Sequence, residues 1–153
     1  MIKKLKTFIH LTPPLRTMVL QAWAYSVYTG FMFAFFKRYA QFGKPLLPGV
    51  AASLPNPAKE MSSDNFNRIN HITQSIQMAA KYVPWKNVCR HQAYQAKLLC
   101  NYYKVPYQVF IGFKKDITTQ KIQAHAWTVA GGKIITGFCN PEEYTIQNIY
   151  CNT

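Results

Sequence analysis

Apolar and polar positions change their period along the chain, and each change marks a structural boundary. "TMVLQAWAYSVYTGFMFAFF", Thr17 to Phe36, is almost continuously apolar and carries no charge. A basic amphipathic stretch, "MIKKLKTFIHL", comes first, and Pro13 and Pro14 follow it where proline suits the first turn of a helix. The apolar run is about as long as a membrane span. Gln21, Ser26 and two threonines dilute it, basic residues flank both ends without asymmetry, and aromatics are spread throughout instead of forming end belts. It therefore reads as a helix that is buried or lies along a surface, that of a membrane included. "GKPLLPGVAASLPNPAKE", Gly43 to Glu60, then packs four prolines and two glycines into an extended linker. This divides an N-terminal helical region with its linker, residues 1–58, from a second unit, residues 59–153.

In the second unit the period is helical before it is strand-like. Phe66, Ile69, Ile72, Ile76 and Ala79 or Ala80 share one helix face behind Ser and Asp N-cap candidates, and Pro84 ends that helix. Val88, Tyr94 or Gln95, Leu98 and Leu99 repeat at helical intervals, so another helix begins close to Cys89. "PYQVFIGF", "IQAHAWTV", "KIITGF" and "EEYTIQNIY" read as strands, the middle two joined by a hairpin at Gly131-Gly132. Helices and strands are segregated, which predicts an α+β fold rather than a doubly wound sheet.

Charge narrows the choice of partner. Eighteen Lys and Arg face five Asp and Glu, a net charge of +13, and no acidic residue precedes Glu60. The excess favours an anionic partner, either an acidic peptide or anionic lipid. Nucleic acid is disfavoured, because the basic residues are scattered and no finger, RNP or basic-zipper pattern occurs. The four cysteines form no CxxC and the four histidines make no zinc-ligand cluster, so no metal is expected. No cleavable signal peptide is visible, which makes the cytoplasm the expected compartment and disulfides improbable.

Cys89 carries the candidate chemistry. At a helix N-terminus a cysteine meets unpaired backbone N–H groups and the positive end of the macrodipole, which favours the thiolate and offers a place for an oxyanion. His91 lies only two residues on and points around the helix away from it. His125, mid-strand in "AHAW" beside Trp127, is the better general base, since a strand histidine facing a helix-start cysteine suits acyl transfer. The competing view is bland: Cys89 as a core thiol, His125 as a satisfied polar residue, and Trp85 and Trp127 as core aromatics.

"PWKNVCRHQAYQAKLLCNYYKVPYQVFIGFKKD" and "KIQAHAWTVAGGKIITG" resemble the transglutaminase-like cysteine proteases that act as stand-alone leader peptidases in lasso-peptide biosynthesis. The shared positions are Trp85, Cys89, Ala93, Ile111-Gly112, Ala124-His125-Ala126-Trp127, Gly131-Gly132 and Thr136-Gly137. The N-terminal region is similar in character only. The resemblance implies a transglutaminase/papain-like core with a helix bearing Cys89 and an antiparallel sheet bearing His125, working without a cofactor. It also implies cleavage of a lasso precursor peptide, a separate leader-binding protein and an ATP-dependent macrolactam synthetase as partners, and Trp85 and Trp127 as site-lining residues.

One position departs from the family pattern. Relatives with a full triad carry Asp twelve residues after the histidine, where this chain has Gly137. Asn140, Glu142, Glu143 and the remoter Asp116 are the side chains left to orient His125, and a backbone carbonyl is the other choice. The same departure leaves open a catalytically inactive scaffold or precursor-binding module. Transfer to an amine instead of water would proceed through the same thioester.

Overall fold

The computed structural model describes residues 8, 10–35, 42–45, 63–85, 87–116 and 120–152. The basic residues Lys3, Lys4, Lys6, Lys37 and Arg38, and most of the proline-rich linker, lie outside them. Among the described residues three helices cover one face of a five-stranded antiparallel sheet. Helix α1 spans Pro13–Phe35, α2 Ser63–Ala80 and α3 Cys89–Tyr102. The strands are β1 (Lys44–Pro45), β2 (Gln108–Lys115), β3 (Ile122–Ala130), β4 (Lys133–Thr136) and β5 (Thr145–Cys151), in the spatial order β1-β5-β2-β3-β4. This is the α+β arrangement that the segregated periods predict.

Helices α2 and α3 bury most of the face that their spacing marks out, with Phe66 at the start of α2 and Val88 at the N-cap of α3 left exposed. In α2, Ile69, Ile72, Ile76 and Ala79 are buried, and in α3 so are Ala93, Ala96, Leu99 and Cys100. Helix α1, in the region separated from the second unit by sequence, places Met18, Ala22 and Phe33 in the same core as these residues and as Val109, Ala126 and Ile135 of the sheet. The Tyr103 hydroxyl hydrogen-bonds Gln21 and ties α1 to the end of α3. Among the described residues no helix is long and apolar enough to cross a membrane.

The sheet register follows from two local features. Gly131 and Gly132 have φ of 57° and 73°, the left-handed pair that a tight two-residue hairpin needs, and they join β3 to β4. Along β2 and β3, Phe110 pairs with Trp127 and Gly112 with His125. Since strand side chains alternate, Ala126 and Ala130 point into the helix-covered core while His125 and Trp127 point to the opposite face.

Candidate active site

Val88 is the N-cap of α3, in extended conformation and with no side-chain cap, and Cys89 is the first helical residue. No acidic residue sits in the first turn, so the positive end of the helix is left to act on the thiol. Cys89 is half-buried and packs against the core. The chain leading into it is held from the helix itself: Gln92 Nε2 donates to the Asn87 carbonyl at 2.9 Å, and Gln95 Nε2 donates to Asn87 Oδ1 at 3.1 Å. Gln95 is fully buried, and this explains a polar residue on a core face that spacing alone left undecided between Tyr94 and Gln95.

His125 sits in an aromatic cluster. Trp127 is buried between Phe110, whose ring lies nearly parallel at 5.5 Å, and Tyr144 at 5.6 Å. The imidazole stacks on Tyr144 at 5.4 Å and lies 6.3 Å from the Trp127 ring. Gly112 makes room for this cluster, since a Cβ there would lie 3.0 Å from both the Trp127 ring and Tyr144 Cβ. Tyr144 was not anticipated from sequence, where nothing in "EEYTIQ" sets it apart.

The imidazole is oriented by the main chain. His125 Nε2 lies 3.0 Å from the Gly137 carbonyl oxygen. A carbonyl only accepts, so Nε2 carries the proton and, in the neutral ring, Nδ1 is the basic nitrogen. Position 137 has no room for the Asp found in triad-bearing relatives. Its φ is +65°, and a Cβ would fall 2.2 Å from the Ala126 carbonyl oxygen.

Three of the four alternative orienters make other side-chain contacts. Asn140 Oδ1 accepts from the Glu142 backbone N–H at 3.3 Å, capping the short 3-10 turn Pro141–Glu143. Glu143 forms a 2.9 Å ion pair with Lys114, whose ammonium also lies 5.0 Å from the Tyr144 ring centroid. The Lys114 hydrogen bond holds the Glu143 carboxyl below its ordinary pKa. Asp116 accepts from Gln123 Nε2 at 3.1 Å.

Cys89 lies in the helix layer whereas His125 points from the opposite face of β3, and among the described residues no hydrogen bond joins the two. The chain leaving β4 is their common neighbour. Gly137 contacts His125. Cys139, two residues on, has its thiol pushed up in pKa chiefly by burial and then by the nearby Glu143 carboxylate, with Cys89 also within electrostatic reach. Tyr144, at the end of the 3-10 turn, closes back on His125. Trp85 is placed elsewhere: its indole lies against α1, 3.4 Å from where a Gly30 Cβ would be, and its buried N–H has no partner. Trp127 thus adjoins the histidine, and Trp85 flanks the N-terminal turn of α3 on the α1 side.

The profile of the family described as "Transglutaminase-like superfamily" matches residues 30–148. No curated protein and no solved structure matches the chain.

Proposed function

The chain belongs to the transglutaminase-like superfamily, and we propose that within it the protein is a cysteine endopeptidase that removes the leader from a lasso-peptide precursor. What supports the catalytic part is the placement of Cys89 at the start of α3 and the orientation of His125 by the Gly137 carbonyl, with Cys139, two residues beyond Gly137, within electrostatic reach of the Cys89 thiol. The resemblance of residues 84–116 and 121–137 to lasso-peptide leader peptidases supports the finer substrate assignment.

In the proposed mechanism His125 Nδ1 takes the Cys89 proton as the sulfur attacks the scissile carbonyl carbon. Backbone N–H groups of the first turn of α3 hold the oxyanion that forms. The amine of the core peptide leaves with the proton from the imidazolium, and the leader remains as a thioester on Cys89. Water, deprotonated by His125, then attacks the thioester, and the thiol is regenerated. Trp127 and Tyr144 keep the imidazole in place throughout. A separate leader-binding protein would present the precursor, and a macrolactam synthetase would receive the core.

The test is mass spectrometry of a lasso precursor incubated with its leader-binding partner and with wild type or Cys89→Ala. Cleavage at the leader-core junction by wild type alone supports the peptidase. A product retaining the acyl group on an added amine, without gain of water, would make the protein an acyltransferase instead. Gly137 favours a second reading, a scaffold that binds precursor without turning it over. Precursor binding with no acyl-enzyme and no cleavage by wild type would establish that reading.

A further inference from the structure

A groove of about 520 Å³ opens between α1 and the start of α3. Its walls are mainly apolar: Val27, Phe31 and Ala34 come from α1 and Trp85 from the segment before α3, while Arg90 and His91 of the first turn of α3 close one side. Gly30 lets the Trp85 indole pack edge-on against the α1 backbone. Phe31 and Phe35 remain 55 % and 70 % exposed, with their ring centroids 4.6 Å apart and the rings tilted to one another. An apolar surface of this kind beside a polar helix start is unusual on a water-facing protein and fits a binding site.

Arg90 gives the groove its polarity. Its guanidinium lies 4.3 Å from the Phe33 ring centroid, and the ring also meets His91 edge-on at 4.9 Å. A cation resting on an aromatic wall is held in place while its N–H groups stay able to meet a carboxylate. The whole chain, at +13, adds an attractive field for an acidic ligand.

Position relative to Cys89 identifies the occupant. Arg90 and His91 directly follow Cys89, and an extended peptide advances about 3.3 Å per residue. A polypeptide whose scissile bond lies at Cys89 therefore reaches the groove with a side chain only two or three residues away. We propose that the groove is a substrate subsite that takes a bulky apolar side chain of the precursor, with a neighbouring carboxylate of the same peptide on Arg90. The proposal rests on the reading of Cys89 as the nucleophile and adds a substrate class to it: an acidic peptide with an aromatic or large aliphatic residue close to the cleavage point.

The test uses the full chain as Cys89→Ala, so that peptide is not consumed, and reads the fluorescence anisotropy of a short labelled peptide carrying one Phe and one Asp two residues apart. Matched peptides replace Phe by Ser or Asp by Asn. The parent peptide is expected to bind about tenfold more tightly than either control, a difference of about 1.4 kcal/mol. Arg90→Gln should erase the preference for Asp alone. Ala34→Trp, which fills the groove, should erase the preference for Phe. Both positions are at the surface, and a thermal melt checks that each variant is folded.

Equal binding of the three peptides, or preferences unchanged in both variants, would overturn the proposal. So would a groove that instead serves lipid: binding to phosphatidylglycerol-containing vesicles lost in Phe31→Ser, with no peptide preference. The two readings fail separately. If wild type cleaves precursor and the groove variants leave KM unchanged, the subsite is wrong and the peptidase stands. If the peptide preferences hold but no acyl-enzyme forms on Cys89, the groove is a binding site and the catalytic reading is wrong.

Discussion

Cys89 and Cys100 lie on the same helix, yet their surroundings prepare them for opposite roles. Cys100 is fully buried in the core among apolar neighbours, and burial pushes its thiol up to about 12. Cys89 is half-buried at the first position of the helix, behind an N-cap with no side-chain hydrogen bond. Under the proposed mechanism, position on the helix is what would separate nucleophile from core thiol. The N-terminal turn is held by Gln92 and Gln95 through Asn87, so the contrast extends from the thiols to the residues that fix their places.

The largest expected effect breaks the Cys89 side of this contrast at its base. His125→Ala should lower kcat for precursor cleavage by about 10³-fold while leaving the unfolding midpoint close to that of wild type. Cys100→Ala should do the reverse, retaining turnover and costing about 1–2 kcal/mol of stability through the cavity left behind. Steady-state kinetics and urea titration on both variants separate the two roles. Comparable losses of kcat in both would dissolve the distinction.

Next in size is Gly137→Ala. A Cβ cannot occupy that site without displacing the Ala126 carbonyl, and the φ of +65° is strained for alanine. The carbonyl that orients His125 must move with it. A stability loss of about 1–3 kcal/mol is expected together with a change in the pH profile of kcat/KM, because the histidine loses its hydrogen-bond partner. An unaltered profile in the folded variant would remove the main chain from the orienting role.

A smaller effect appears at high pH. The Cys100 pKa is raised on folding, so the native state binds that proton more tightly than the unfolded chain does. Stability is intact below the unfolded thiol value near pH 9 and falls as pH rises toward about 12. The decline should reach about 1.4 kcal/mol per pH unit for this one group, and Cys100→Ala should flatten it. Tyr107, also raised by burial to about 12, adds a similar decline at higher pH.

The smallest expected effect is that of Gln95→Met on stability. The Gln95 Oε1 already lacks a partner, so an apolar side chain of similar length should change the unfolding free energy by no more than about 1 kcal/mol. Activity should still fall several-fold, since Asn87 loses one of its two ties to α3. Loss of stability with full activity would mean that Gln95 serves the core alone.

Much of this was legible in the sequence where side-chain period and residue type carry the signal. The helix beginning at Cys89, the Gly131-Gly132 hairpin and the boundaries of β3 follow from local pattern and agree with the structure. The parts that were not legible depend on groups without a sequence signature. A backbone carbonyl stands beside Asn140, Glu142, Glu143 and Asp116 among the orienters that the sequence allows, but it has no side-chain identity, so nothing in the sequence singles out that of Gly137. Tyr144 joins His125 only because the 3-10 turn after β4 folds the chain back. Lys44 and Pro45 are too short a segment to announce a strand, and they pair with β5 because tertiary contacts bring them there. The site-lining role of Trp85 is implied by the resemblance alone; its indole packs on α1, and that contact depends on a glycine far away in the chain.

Competition between thiols tests the central claim most directly. Cys139 is the stringent control, being half-exposed like Cys89 but held up in pKa by burial and by Glu143. Brief treatment of the native protein with limiting iodoacetamide near neutral pH, followed by peptide mass mapping, should show Cys89 alkylated at least about tenfold faster than Cys139, with Cys100 and Cys151 protected. The advantage should shrink in His125→Ala. Equal labelling of Cys89 and Cys139, or an advantage untouched by loss of His125, would contradict an activated Cys89–His125 pair.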